Sequence, residues 1–107
     1  MLVKRNETEA RQILPGVNRR ILNHGGKLMM TEFVFKKDTD VGVHSHPHEQ
    51  ISCLIRGSGK FHLRGIDTII EKGDSVYIPP DVPHGFIALE DGATMIDAFT
   101  PPREDFL

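Results

Sequence analysis

The sequence predicts an all-β protein with antiparallel strands. From Val17 onward, short apolar runs are broken about every eight to twelve residues by Gly, Pro, Asp or Asn, a spacing typical of β-sandwiches and barrels. The runs follow one another too closely to leave room for the crossover helices that parallel strands require. The chain has 107 residues, near the commonest domain size, so we expect a single domain.

We divide the chain into an N-terminal lead-in, residues 1–14, and a β domain with a C-terminal tail, residues 15–107. The lead-in is dense in charged and polar side chains, and its pattern allows a short amphipathic helix over Glu7 to Ile13. Pro15-Gly16 then marks a turn into the first apolar run.

Each apolar run is predicted to be one strand, and each cluster of turn-forming residues is predicted to separate two strands. The nine strands are expected at Arg19 to Leu22, Leu28 to Phe35, Val41 to His44, Gln50 to Arg56, Lys60 to Leu63, Thr68 to Ile70, Ser75 to Ile78, Phe86 to Leu89 and Thr94 to Phe99. Hairpins are expected at Gly57-Ser58-Gly59 and Arg64-Gly65-Ile66-Asp67, with further turns at Asn23 to Gly26, Lys72 to Asp74 and Glu90 to Gly92.

Side-chain parity predicts which residues share a face, because successive side chains of a strand point to opposite sides. Gln50 and Ser52 share one face of their strand, and Cys53 lies on the other, so Cys53 is expected to pack rather than to bind a ligand. The strands Met29 to Phe35 and Thr94 to Phe99 are apolar on both faces. This pattern indicates a sheet packed on one side and covered on the other by a second layer or a subunit, and we expect a homodimer.

Composition excludes several classes of partner. The formal net charge is −2, which provides no basic surface for nucleic acid and no polybasic membrane patch. No segment approaches the roughly 18 consecutive apolar residues of a membrane-spanning helix, and the first twelve residues lack the apolar core of a secretory signal. Cys53 is the single cysteine, which fits a reducing compartment, so we expect a cytoplasmic protein that binds a small molecule.

The segment His44-Ser45-His46-Pro47-His48-Glu49-Gln50 predicts a metal site. His44 and His46 are one residue apart on an extended segment, so their side chains point to the same face and can bind one ion. Gln50 adds an oxygen donor, and His84 is a fourth candidate ligand from elsewhere in the fold. Imidazole suits Zn, Cu, Fe and Ni, and an oxygen ligand widens the choice toward Mn.

These residues resemble the two motifs of the cupin superfamily, over roughly residues 28 to 100. The resemblance implies an antiparallel double-stranded β-helix, or jelly-roll barrel. Asp81 and Ala88 stand where the family usually has glycine and asparagine, and Gly42 lies closer to the histidine pair than is usual. The matching residues are Gly42, His44, His46, Gln50 and Gly57 in the first motif, and Gly73, Pro79, Asp81 and His84 in the second.

A closer resemblance is to the KdgF-type pectin-degradation cupins, in the run His-x-His-Pro-His-Glu-Gln and in the tail Asp97 to Leu107. Members of that family convert 4,5-unsaturated monouronates from pectin or alginate into the linear keto form without redox chemistry. The resemblance implies metal ligands at His44, His46, Gln50 and His84, catalytic roles for Asp97 and Arg103, and substrate contacts by Phe99 and Arg103.

The residue types suit that chemistry. Three imidazoles and one amide leave a divalent Zn, Ni, Mn or Fe ion its full charge, which makes it a strong Lewis acid. Arg103 offers a planar fork for a carboxylate, Asp97 is the candidate proton shuttle, and Phe99 would exclude water. Arg103 could instead be a solvated tail residue paired with Glu104 or Asp105.

Two other functions fit the same motif. One is an iron-dependent oxygenase acting on a small organic substrate, since three histidines can hold Fe(II). The other is a sugar-acid-binding cupin without catalysis, since fold alone does not determine function.

Overall fold

The computed structural model describes residues 1–107 and contains nine strands. Two short 3₁₀ turns, Arg5–Glu7 and Glu104–Phe106, lie near the ends of the chain. No helix is long and apolar enough to cross a bilayer. The strands are β1 (Arg11–Leu14), β2 (Val17–Gly25), β3 (Leu28–Phe35), β4 (Glu49–Arg56), β5 (Ser58–Leu63), β6 (Ile66–Glu71), β7 (Ser75–Ile78), β8 (His84–Ala88) and β9 (Ala93–Thr100).

The strands form two antiparallel sheets, which confirms the predicted fold class. The large sheet has the order β1-β2-β3-β9-β4-β7, and the small sheet has the order β6-β5-β8. Strand β9 is paired with β3 on one side and β4 on the other, so it lies in the middle of the large sheet. Residues on the inner faces of β3, β9 and β4 therefore look toward the small sheet.

The core lies between the two sheets and follows from the alternation of side chains. The large sheet contributes Phe35, Leu54 and Met95, while the small sheet contributes Phe61 and Phe86. The rings of Phe35 and Phe86 approach across the barrel with centroids 5.0 Å apart. Burying each such side chain stabilises the fold by about 1.5–3 kcal/mol, and together they hold the two sheets in contact.

The prediction of a hairpin at Gly57-Ser58-Gly59 is wrong. Strands β4 and β5 do not pair, because the chain crosses at Gly57 from the large sheet to the small one. Gly57 has a φ of +79°, and a Cβ there would lie 3.0 Å from the Cα of Ala93. Local turn signals are the same for a hairpin and for such a corner, so the sequence could not separate them.

The short helix that the pattern allowed over Glu7 to Ile13 is not present. Arg11–Leu14 of the segment assigned to the lead-in forms β1, the edge strand that pairs with β2 through the turn at Pro15-Gly16. All four residues of β1 are exposed, so the strand carries no pattern of buried and exposed positions that the sequence could have shown.

A regular strand over Val41 to His44 is not present. This segment makes only isolated bridges, Asp40 with Ile87 and His44 with His84. The carboxylate of Asp40 accepts a hydrogen bond from the backbone N–H of Gly42 at 2.8 Å, and this local turn competes with a continuous ladder. The segment therefore lies against β8 without joining the sheet along its length.

The outer face of the large sheet carries an apolar row, which we call the outer row: Met30, Ala98, Ile51 and Tyr77. These residues are register partners on β3, β9, β4 and β7. Met30, Ile51 and Tyr77 are each about half exposed. The inner face is packed, as the two-sided apolar pattern of β3 and β9 indicated, and no second layer of this chain covers the outer row.

Candidate metal centre and pocket

Three histidines converge at one end of the barrel. His44 lies in the bridged segment before β4, His46 follows two residues later, and His84 begins β8. The ring centroids are 4.4 Å apart for His44 and His84, and 4.9 Å apart for His46 and His84. One nitrogen of each ring lies within 4.8 Å of the corresponding nitrogens of the other two. The structure thus brings together three of the four predicted ligands.

Backbone pairing places His44 opposite His84. Each residue donates its backbone N–H to the carbonyl of the other, at 2.9 Å in both directions. A Cβ at Gly85 would lie 2.6 Å from the carbonyl oxygen of Gly42, so only glycine lets the segment approach β8 this closely. The glycine after His84 therefore has a direct role in building the cluster.

Backbone carbonyls orient the rings. His46 Nδ1 donates to the His48 carbonyl at 3.1 Å, and His84 Nδ1 donates to the Val82 carbonyl at 2.8 Å. A neutral imidazole that donates through Nδ1 keeps a lone pair on Nε2. His84 Nε2 is buried and has no hydrogen-bond partner, which is costly unless something binds it.

Gln50 completes the candidate ligand set from β4. Its Oε1 lies 2.8 Å from His46 Nε2. Since His46 donates through Nδ1, both facing atoms are acceptors, and two acceptors at this distance are satisfied by a cation between them. Ligands at right angles around an ion, with bonds of about 2.1 Å, lie about 3 Å apart, so the residues present fit a divalent transition ion.

The protonation of the histidines also fits a metal. Burial lowers the pKa of His44, His46 and His84, and for His84 the value falls to about 4. The nearby positive charge of Arg103 lowers the pKa of all three further, while hydrogen bonds to their ring nitrogens raise it. All three rings are therefore neutral near pH 7, and the neutral imidazole is the form that binds metals.

Asp97 lies on the inner face of β9, between Thr31 of β3 and Ser52 of β4 in the sheet register. Its side chain is buried, and Oδ1 has no hydrogen-bond partner. Burial raises the pKa of Asp97 to about 7, and smaller opposing effects come from hydrogen bonding with Ser52 and Gln50 and from the charge of Arg103. A carboxyl with this pKa exchanges a proton readily near neutral pH.

Arg103 is held over the pocket by the C-terminal tail. Its Nε and Nη2 donate to the carboxylate oxygens of Asp105 at 3.0 and 2.8 Å, and its guanidinium lies 4.3 Å from the ring centroid of Phe106. The sequence allowed either a solvated residue paired with an acid or a pocket residue. Arg103 is paired with Asp105, yet its side chain is only 13% exposed and lines the pocket. The edge of the guanidinium that contains Nη1 is free for a second carboxylate.

A cavity of about 200 Å³ joins these groups. His44, Gln50, Asp97, Phe99 and Arg103 all line it, and the side chains beneath them are apolar. His46 is linked to the same wall through Phe99, whose ring centroid lies 5.9 Å from that of His46. Every residue predicted to bind metal or substrate therefore lies in or beside one pocket, and their individual roles stay predictions.

Two neighbours of the site were not assigned a role by the sequence. Ser52 accepts a hydrogen bond from Gln50 Nε2 at 2.9 Å, and its parity with Gln50 was a signal that could have found it. Phe106 packs in the cavity wall between Arg19 and Arg103, with both guanidinium groups 4.3 Å from its ring centroid. No local sequence pattern predicts that Arg19 contacts the C-terminal tail.

A barrel of two antiparallel sheets with a histidine cluster at one end defines a cupin. The sequence-family model of the cupin domain matches residues 31–99 of the chain, and the chain belongs to this family. The predicted double-stranded β-helix, or jelly roll, is thereby confirmed.

Within the family, the chain is similar to small single-domain members. It is 33% identical over 103 residues to the pectin degradation protein KdgF of Dickeya dadantii (strain 3937), covering 95% of this chain and 94% of that protein. The structure of KdgF from Halomonas sp. has a TM-score of 0.93 at 30% identity, with 97% and 96% of the two chains covered. An RmlC-like cupin from Shewanella frigidimarina NCIMB 400 has a TM-score of 0.92 at 33% identity, with 98% and 94% covered.

Proposed function

We propose that this protein is a metal-dependent, non-redox isomerase that opens 4,5-unsaturated monouronates from pectin or alginate breakdown to their linear keto forms. The observation that carries the proposal is the buried carboxyl of Asp97. It has no ion-pair partner and faces the same cavity as His44, Gln50 and Arg103. The similarity to KdgF along nearly the whole chain supports the choice of substrate.

His44, His46, Gln50 and His84 would hold one divalent transition ion: Zn, Ni, Mn or Fe. Such an ion, when bound, supplies Lewis-acid polarisation of a substrate oxygen. The protein ligands are all neutral, so the full charge of the ion is available for an anionic sugar acid.

The other pocket residues bind the substrate and move its proton. Arg103 binds the uronate carboxylate through its free edge, while Phe99 forms the apolar wall that excludes water. Asp97 accepts the proton of the anomeric hydroxyl as the ring C–O bond breaks, and it returns this proton to carbon 4 of the resulting enolate, which becomes the ketone. The reaction moves protons and changes no oxidation state overall, so no redox partner is required.

Turnover is measured as loss of the absorbance of the conjugated double bond. His46→Ala should abolish it and Asp97→Ala should reduce it sharply. His62→Ala is the matched control, because His62 is outside the histidine cluster and pairs with Asp67 on the surface. Equal activity of His46→Ala and the wild-type protein would remove the proposal.

Two further assays of the same purified protein distinguish the alternative functions from the proposed isomerase. Full activity with Zn or Ni under anaerobic conditions excludes an oxygenase, whereas iron-dependent oxygen consumption would favour it. Calorimetry that shows tight uronate binding without any chemical change would favour a binding protein.

The assembly that we propose is a homodimer that acts in the cytoplasm. The outer row offers an apolar surface of the kind that subunit interfaces bury. Ile51→Asp places a charge in this row without touching the pocket, since residue 51 has the opposite parity to Gln50. Light scattering should show a dimer for the wild-type protein and a monomer for this variant.

A further inference from the structure

The amide of Gln50 has a fixed orientation, and the hydroxyl of Ser52 is one of the groups that set it. Gln50 Nε2 donates to Ser52 Oγ at 2.9 Å, which turns Oε1 toward His46 at 2.8 Å. Both residues are buried on the inner face of β4, so these hydrogen bonds are shielded from bulk solvent. If the amide rotated by half a turn, it would present N–H groups to the histidines, and these cannot bind a cation.

A hydroxyl can accept from an amide N–H or donate to an amide oxygen, so something must set its direction. Asp97 is the register partner of Ser52 on the adjacent strand β9, and both side chains point into the barrel. In its ionised form the carboxyl of Asp97 only accepts hydrogen bonds. When Ser52 donates its one proton to Asp97, its lone pairs remain for Gln50 Nε2, and the amide oxygen must face the histidines.

We propose that Ser52 is a positioning residue that fixes the amide oxygen of Gln50 toward the histidines and thereby links this metal ligand to the carboxylate of Asp97. The proposal rests on the metal site proposed above, and it is independent of which substrate the site binds. With Asp97 ionised, the carboxylate, the hydroxyl and the amide would form one directional chain across β9 and β4 that ends at the metal ligand Gln50.

The structure provides a matched control for this role. Thr31 is the register partner of Asp97 on the opposite side, on β3, and it is as deeply buried as Ser52. Its Oγ1 makes no hydrogen bond. Removing the hydroxyl with Thr31→Val therefore changes a buried position beside Asp97 without changing the amide of Gln50.

The test is titration of the metal-free protein with Zn²⁺ by calorimetry. Ser52→Ala should weaken zinc binding by about tenfold or more, the usual effect of losing a group that orients a ligand. Ser52→Thr, which keeps the hydroxyl, should retain most of the affinity, and Thr31→Val should bind zinc as the wild-type protein does. Wild-type affinity in Ser52→Ala, or an equal loss in Thr31→Val, would overturn the proposal.

A double-mutant cycle shows whether Ser52 acts through Gln50. In a Gln50→Ala background, Ser52→Ala should cause no further loss of zinc affinity. The same tenfold loss in both backgrounds would mean that Ser52 only supports the fold, and the proposal would fail.

The zinc titration also separates this inference from the proposed activity. If the protein binds zinc and shows the predicted cycle but does not turn over uronates, the proposed role of Ser52 stands and the proposed isomerase activity fails. If the wild-type protein binds no zinc, both proposals fail.

Discussion

Two buried carboxylates lie on neighbouring strands of the large sheet but on opposite faces. Asp97 of β9 is 6% exposed and faces the barrel, and Glu32 of β3 is 7% exposed and faces outward. Glu32 accepts hydrogen bonds from Arg5 at 3.0 and 2.8 Å and lies 4.0 Å from Arg20. Asp97 has no such partner.

The two carboxyls have opposite acidities because Glu32 has a counter-ion near the protein surface, whereas Asp97 lies deep in the barrel without one. The hydrogen bonds from Arg5 lower the pKa of Glu32, whereas burial raises the pKa of Asp97 to about 7. The outer carboxylate is therefore a permanent anion that attaches the N-terminal segment to the sheet. The inner one is left able to exchange a proton, which is what its proposed catalytic role requires.

The largest effect should come from replacing the reactive carboxyl. Asp97→Asn removes the proton acceptor and should lower uronate turnover by roughly 100-fold or more, within the range for general acid–base groups. Glu32→Gln is the control for burying an amide in the same sheet, and it should keep turnover within about twofold. Initial rates at saturating substrate measure both, and comparable losses in the two variants would contradict the distinction between the faces.

The second-largest effect should come from replacing Arg103 of the pocket, and Arg20 of the outer face is the control. Arg103→Lys replaces a fork by a point charge and should raise KM by about tenfold, as expected for one lost charge-assisted hydrogen bond. The turnover number should change less, because the proposed role of Arg103 is to hold the substrate carboxylate, away from the bonds that react. Arg20→Lys on the outer face should leave KM unchanged, and a rise in KM for that variant would show that the effect is not local to the pocket.

The sequence predicted the inner face well because local rules govern it. The spacing of His44 and His46, the parity of Gln50 and the position of an acid at residue 97 in an apolar run all follow from the period of a strand. The same parity placed Cys53 on the outer side, where it is partly exposed and outside the histidine cluster.

The outer face could not be predicted in the same way. Arg5 and Glu32 are 27 residues apart, and nothing in their local surroundings indicates that a charged lead-in lies against the sheet. The tail posed a similar problem, since Glu104 and Asp105 were equally good partners for Arg103 until the 3₁₀ turn placed Asp105 beside it. Such contacts depend on tertiary packing that no short window of sequence contains.

A smaller effect, on stability alone, should come from breaking the outer pair. Glu32→Gln should lower the free energy of unfolding by about 1 kcal/mol or less, because it weakens part-buried hydrogen bonds to a solvent-exposed arginine. Arg5→Gln should add little in the Glu32→Gln background, since the pair is already broken. Urea denaturation at pH 7 measures each variant, and additive losses would show that Arg5 stabilises the protein by other contacts.

The smallest effect is the pH dependence of that stability difference. The pKa of Glu32 is lowered from its ordinary value of 4.5, so the folded protein holds this carboxylate ionised at a pH where the unfolded chain has begun to protonate it. The stabilisation by Glu32 is therefore fully present above pH 4.5 and is lost as the pH falls through the lower, folded-state pKa. The difference in unfolding free energy between the wild-type protein and Glu32→Gln should be constant from pH 7 to about 5 and should shrink as the pH falls below 4.5. A difference that persists unchanged in acid would mean that residue 32 stabilises the sheet through its packing and not through its charge.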